Sequence, residues 1–205
     1  MRLNELNFRQ FYHQVIFFKN EEALNQIKDK FESDEGDNGI LAYGYVDDKA
    51  GSTFEVLCAA SVNDGHITYK KGNPDASFKF RRDSAVNEEI YLFHDETIFS
   101  EFEEKIAMIN DGYKAKNPAV ELMRTFSQLD NSRNPDYPDA VLVYLMKEGL
   151  LPERCWVKCI HLDNNSLYGI LLNEPTQDFG IRKNEMMMFG IANSGDRDIC
   201  VANFN

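Results

Sequence analysis

The sequence predicts a mixed α+β protein, and three observations carry that expectation. Apolar residues alternate in short runs along most of the chain, as in Phe54-x-Val56-x-Cys58-x-Ala60-x-Val62, which is the period of a buried-face strand. In the middle of the chain the period changes: Phe99, Phe102, Ile106 and Ile109 fall on one helical stripe. Of the 205 residues, 43% are hydrophobic and 27% charged, a balance that fills a core and excludes a disordered or collagen-like chain. The expected architecture is an N-terminal antiparallel sheet with two or three helices. A C-terminal, mainly antiparallel part follows, shaped as a curled sheet or small barrel.

In chain order, residues 14–18 predict a first strand. Asn20 is placed to cap a helix whose Leu24, Ile27 and Phe31 repeat at helical spacing. Residues 32–38, with Glu32, Asp34, Glu35 and Asp37, read as a solvated loop. Strands at 39–46 and 53–62 follow, and Asn63-Asp64-Gly65 turns the chain into 66–70, because glycine supplies the positive φ of a tight hairpin. Further strands are expected at 77–81 and 89–94. The helix through Phe99 and Ile109 is expected to end at Gly112, with Ser100 and Glu103 as a capping box or Asp95 capping one turn earlier. Asn117-Pro118 starts another helix, since proline is preorganised for the first turn, and Val120, Met123, Phe126 and Leu129 form its apolar face. After the loop at 130–139, strands are predicted at 140–146, 155–162, 166–173, 185–192 and 199–204, with a tight hairpin at 163–166. Trp156, Phe179 and the face from Val141 to Leu145 are expected in or near the core. The change of pattern suggests an α+β region over 1–116 and a helix plus β module over 117–205, packed separately or as one unit.

Net charge is −12, from 34 acids against 22 bases, and both regions are acidic. Such a field repels polyanions, so nucleic acid is disfavoured and a basic protein is the expected partner. No stretch approaches the ~20 apolar residues of a membrane-spanning helix. The first residues carry Arg2, Glu5 and Arg9 and an apolar run only from Val15 to Phe18, short of the about 7–15 apolar residues of a secretory leader. Cys58, Cys155, Cys159 and Cys200 are too sparse for a disulfide framework, and a cytoplasmic location is expected.

One stretch carries a resemblance. Cys155-Trp156-Val157-Lys158, then Gly169-Ile170-Leu171-Leu172-Asn173-Glu174-Pro175, then Gly180-x-Arg182-Lys183-Asn184-Glu185 resembles the YegJ-like group of uncharacterised bacterial domains. Trp156 and Asn173-Glu174-Pro175 match that group, while Asn184-Glu185 stands where Gly-Asp is usual. The resemblance spans about residues 155–190 and implies a bacterial source and a small barrel-like or curled-sheet module, with no activity attached. The N-terminal part carries no such resemblance.

Several motifs invite chemistry. Cys155, Cys159 and His161 alternate onto one strand face, as zinc ligands would, but residues four apart on a strand stand ~13 Å from each other. Tetrahedral zinc needs its sulfurs within about 4 Å, so buried thiols are the simpler reading unless Cys200 approaches from a neighbouring strand. Asp130, Ser132, Asn134 and Asp136 copy calcium-loop spacing, yet Pro135 and Val141 stand where glycine and a bidentate glutamate belong. Asp178-Phe179-Gly180 lacks the glycine-rich loop and His-Arg-Asp element of phosphoryl transfer. His94-Asp95, with Glu88, Glu89 and Glu96 nearby, offers an acid/base pair or simply a strand end and a helix cap. Lys70, Lys71, Lys79, Arg81 and Arg82, interleaved with Tyr69 and Phe78, form a basic ribbon suited to a small anion or a nucleic acid, or to guarding a sheet edge. Met186-Met187-Met188-Phe189 is apolar on both strand faces, as in a core strand or an interface.

No metal, no cofactor and no complete catalytic constellation emerges. The reading is a non-catalytic intracellular binding protein, immunity- or antitoxin-like, whose acidic clusters at 34–37 and 101–104 attract a basic partner. The expected binding residues are Asn173, Glu174, Pro175, Asp178 and Phe179, with Lys79, Arg81 and Arg82 on the ribbon. The alternatives are an enzyme using His94, Asp95, Glu174 or Cys155, or an anion-binding module on the ribbon at 70–82.

Overall fold

The computed structural model describes residues 1–71, 73–93, 96–163 and 166–205, in two compact units, Met1–Lys114 and Ala115–Asn205. Together they make a mixed α+β protein.

Unit 1 is built on an antiparallel sheet. Strand β1 (Val15–Lys19) lies between β2 (Gly39–Asp47) and β6 (Glu89–Leu92), and β2 pairs with β3 (Gly51–Asn63). The other edge of β3 is shared: Thr53, Phe54 and Glu55 pair with β5 (Lys79–Arg81), and Ala60 to Asn63 pair with β4 (His66–Tyr69). Asp64 and Gly65 both have positive φ, 49° and 79°, so β3 and β4 are joined by the tight primed turn that Asn-Asp-Gly predicts.

Both faces of this sheet are covered. The N-terminal residues, α1 (Phe8–Phe11) and α2 (Glu21–Ile27) bury Phe11, Ile16, Phe18, Ile27, Phe31, Phe54 and Val56 on one side. On the other, α3 (Glu96–Glu101) and α4 (Glu103–Tyr113) bury Phe17, Leu41, Tyr43, Leu57, Ile98, Phe102 and Ile106. Residues 51–61 are therefore all buried, which corrects the expectation that only one face of that strand is interior.

The stripe from Phe99 is not one helix. The backbone leaves helical geometry at Phe102 (φ −108°, ψ 14°), whose ring is 4% exposed. Ser100 lies inside α3 and its hydroxyl donates to the Thr97 carbonyl at 3.2 Å, so it forms no capping box. Gly112 lies within α4, which runs to Tyr113, and does not end it.

In unit 2, α5 (Pro118–Arg124) is capped by Asn117, whose Oδ1 accepts from Ala119 N–H at 3.0 Å. The helix stops before Phe126 and Leu129, which belong instead to the approach and interior of a 3-10 segment, Ser127–Ser132. Buried Arg133 fastens the chain at this point: its Nη2 donates to the Met123 and Phe126 carbonyls at 2.6 and 3.4 Å, which also accept from Phe126 N–H and Leu129 N–H, both at 3.1 Å.

The remaining chain closes a five-stranded barrel: β7 (Ala140–Lys147), β8 (Glu153–Asp163), β9 (Ser166–Leu171), β10 (Met186–Asn193) and β11 (Asp198–Phe204). Successive strands are antiparallel, and the parallel pairing of β11 with β7 closes the ring. Alternation fills the interior with Val141, Val143, Leu145, Cys155, Val157, Leu171, Phe189 and Cys200, and Phe179 packs against it. Trp156, expected in or near the core, falls between Cys155 and Val157 and is half-buried on the outward face, outside the barrel interior. Among the described residues, no helix is long and apolar enough to cross a membrane.

Candidate functional site

The segment that follows β9 is held by its own side chains. Asn173 extends the ladder beyond the strand: its Oδ1 accepts from Trp156 N–H at 2.7 Å and its Nδ2 donates to Cys155 Sγ at 3.2 Å. Glu174 Oε2 accepts from Lys183 N–H at 2.8 Å, and its Oε1 lies 3.4 Å from Arg182. Arg182 also reaches Asp178 at 3.6 Å, so one guanidinium ties the two carboxylates together. On the opposite flank Glu153 accepts from Thr176 N–H, Thr176 Oγ1 and Gln177 N–H at 2.7, 2.8 and 3.2 Å. Desolvation pushes the Glu153 carboxyl upward, but these hydrogen bonds outweigh it and leave the pKa lowered. Pro175 and Phe179 are buried. Of the five expected residues in this loop, two are thus packing groups, Asn173 and Glu174 shape the loop, and Asp178 has the most exposed side chain, ahead of Glu174.

Beside this loop the outer wall of the barrel carries an apolar patch, bordered by exposed Lys158, which the register sets beside Ile170. The register sets Met186 beside Ile170 and Met188 beside Tyr168, while Leu172 N–H donates to the Trp156 carbonyl at 2.8 Å. Met187 and Phe189 point inward, at 4% and 2% exposure, whereas Met186 and Met188 are 63% and 58% exposed. The methionine run is therefore half core and half surface. Sequence reasoning saw its two-faced character but not the row of Tyr168, Ile170 and Leu172 alongside, because strand register, not composition, brings these residues together.

Three basic residues of the ribbon, Lys70, Lys79 and Arg81, are met by acids of their own unit. Lys70 pairs with Asp34 at 2.6 Å and Arg81 with Asp83 at 2.5 Å. Lys79 lies 3.5 Å from Glu55 and donates to the Tyr113 hydroxyl, and Arg82 is 5% exposed. The acidic cluster around Asp34 and that at Glu101, Glu103 and Glu104 are exposed, and the Cys58 thiol feels both Asp37 and Glu101.

The cysteine and histidine placement departs from simple alternation. A bulge between Cys159 and His161 in β8 pairs His161 with outward Tyr168, so the imidazole leaves the face of Cys155 and Cys159. This corrects the shared face expected for the three. Burial raises the thiols, Cys159 to about 12 and Cys200 to about 11, against the opposing pull of Arg133 on the first and Ser132 on the second. Among the described residues, no group of three acidic, cysteine or histidine side chains is placed to hold a metal. The calcium-like loop is turn chemistry: Asn134 Oδ1 accepts from the backbone N–H of Asp136 and Tyr137, both at 3.0 Å, and Asp130 pairs with Arg133 at 3.1 Å. His94 and Asp95, and the tip of the expected hairpin at 163–166, lie outside the described residues. Cys155 is inside the barrel while Glu174 bonds Lys183 and Arg182 outside it, so these two candidates do not share a cleft. Two buried arginines went unseen in the sequence. Arg124, 1% exposed, holds Asp139 bidentately at 2.9 and 2.7 Å, and Arg133 threads the carbonyls around it.

Compared with protein-family models, curated proteins and solved structures, the chain matches none.

Proposed function

We propose that the chain is a non-catalytic binding protein that docks a basic protein partner, in the manner of an immunity or antitoxin protein, on the barrel wall beside the loop at 173–179. The observation that carries this reading is the contiguous outward row of Leu172, Ile170, Tyr168, Met186 and Met188. An apolar row of this kind on a water-facing sheet gains free energy when covered, and unbranched methionines adapt to a partner's shape. The chemistry of the partner follows from the net charge of −12, which speeds encounter with a positively charged surface. Four free, buried thiols support a reducing, cytoplasmic setting.

The test uses the tagged full chain recovered from its own cells, with cross-linking and mass spectrometry. The expected result is a partner of high isoelectric point cross-linked to residues 172–188, with an on-rate falling at least about tenfold between low and high salt. Met186→Asp with Met188→Asp is expected to weaken that complex about a hundredfold. A neutral or acidic partner, or cross-links confined to another surface, would overturn the reading.

A further inference from the structure

Unit 1 holds a cleft of about 270 Å³ between α2, β1 and the segment that follows β5. Its floor is Phe18 and Ile40, both buried, and Phe78 and Phe80 line it beside them. The Phe18 and Phe80 rings stand at 89° to each other with centroids 5.0 Å apart, so two aromatic surfaces meet at a corner. Around this apolar floor are Asn20, Gln26 and Ser84 and two carboxylates, Glu22 and Glu88; among the described residues, no lysine or arginine lines the cleft. The nearby cations Lys19 and Arg81 are engaged by Glu89 and Asp83, and Arg82, buried and lying between Phe80 and Ser84 in sequence, is not among the residues that line the cleft.

We propose that this cleft is a binding site for a small organic cation, an ammonium group carried on an apolar or aromatic body. Three physical points converge on that class. Phe78 and Phe80, partly exposed over the buried Phe18 and Ile40, accept an apolar body, and ring faces attract positive charge. Carboxylates at the same cleft, with no cation among the lining residues, leave negative charge for an ammonium head to meet. The volume is near the lower end of small-molecule sites, about 300 Å³, and suits a compact ligand.

Two competing occupants fit worse. An anion would meet both carboxylates, and the first turn of α2 offers it little, because Ala23 N–H is taken by Asn20 Oδ1 at 2.8 Å. A hard metal ion takes six or more oxygens, which a floor of phenyl rings does not supply. The acidity of the region up to Lys116, 22 acids against 14 bases, further favours a cation. The residues of this site belong to unit 1 and those of the barrel wall to unit 2, so either proposal can fail without the other.

The test is an amide-resolved NMR titration of the full chain with three probes of one skeleton: phenethylammonium, neutral 2-phenylethanol and anionic phenylacetate. The expected result is saturable shifts at Ala23, Gln26, Ser84 and Ala85 with phenethylammonium, at least about tenfold tighter than 2-phenylethanol, and none with phenylacetate. Glu22→Gln with Glu88→Gln should lower the ammonium affinity about tenfold and leave that of the alcohol unchanged, in a variant whose remaining amide spectrum overlays that of the parent. Equal binding of ammonium and alcohol, an affinity indifferent to the double substitution, or no shifts up to ~10 mM would each overturn the proposal.

Discussion

The sheet of unit 1 and the barrel of unit 2 solve the problem of a half-apolar strand in opposite ways. In unit 1 helices cover both faces, so β2 and β3 are buried almost throughout. In unit 2 the sheet closes on itself, and β8 alternates between buried and solvent-facing residues along its length. An enclosed sheet leaves binding to the clefts between layers, as beside α2, whereas a barrel offers its outer wall. An apolar side chain on that wall therefore calls for an explanation that one in an enclosed strand does not.

The largest expected effect breaks unit 2 at its buried guanidinium. Arg124→Ala removes both hydrogen bonds to Asp139 and leaves that carboxylate poorly compensated, at a cost of about 3–5 kcal/mol in chemical denaturation. A loss under ~1 kcal/mol would mean that the α5 attachment is incidental to the barrel. In unit 1 the matching test is Gly44→Ala. A Cβ at Gly44 runs into the carbonyl oxygen of Phe11, and the Gly44 backbone is already fixed by His13 N–H and the Gln14 carbonyl. About 3 kcal/mol is expected to be lost by the same measurement, since backbone on both sides must move. Full tolerance would show that the cover over that face is loose.

A neighbouring pair sharpens the contrast within one strand. Met187→Ala empties part of the barrel interior and should cost about 2–3 kcal/mol, while Met188→Ala, one residue on, should change stability by less than ~0.5 kcal/mol. Similar losses at both positions would contradict the register of β10. The smallest effect concerns Lys105, which bridges the stretch of the β3 edge between its two partner strands. Its Nζ donates to the Val56 and Ala76 carbonyls at 2.8 and 2.7 Å and lies 5.1 Å from the Phe31 ring centroid. Burial lowers its pKa, against the raising influence of Glu55 and Cys58. The folded state thus sheds this proton before the unfolded state does. Stability relative to Lys105→Met should rise with pH from the lowered folded value up to about 10.4, and be flat outside that window. Equilibrium unfolding of both proteins across alkaline pH would show it, and an opposite slope would remove the burial argument.

Local signals placed most of the strands, because alternation and turn chemistry act over a few residues. Asn63-Asp64-Gly65 and Asn117-Pro118 do in the structure what their dihedral preferences predict. Signals that depend on distant partners were missed. Nothing near Phe102 in sequence marks a helix break, and nothing near Ile160 marks a bulge, since both follow from where a side chain must sit against another element. The candidate surfaces divide in the same way. Asn173 and Glu174 stand out by composition but spend their polar atoms on the loop itself, whereas the Met186–Ile170 and Met188–Tyr168 neighbours exist only once β9 and β10 are paired.

By itself the amino-acid order determined the α+β class, the turns, the caps at Asn20 and Asn117 and the acidic field, because each depends on local torsion preference or on charge that adds regardless of fold. Tertiary structure alone decided which apolar residues face water, which arginines are buried, and that carboxylates and phenyl rings from separate elements line one cleft. Those outcomes rest on packing between segments far apart in the chain, where the free energy comes from surfaces that no local window contains.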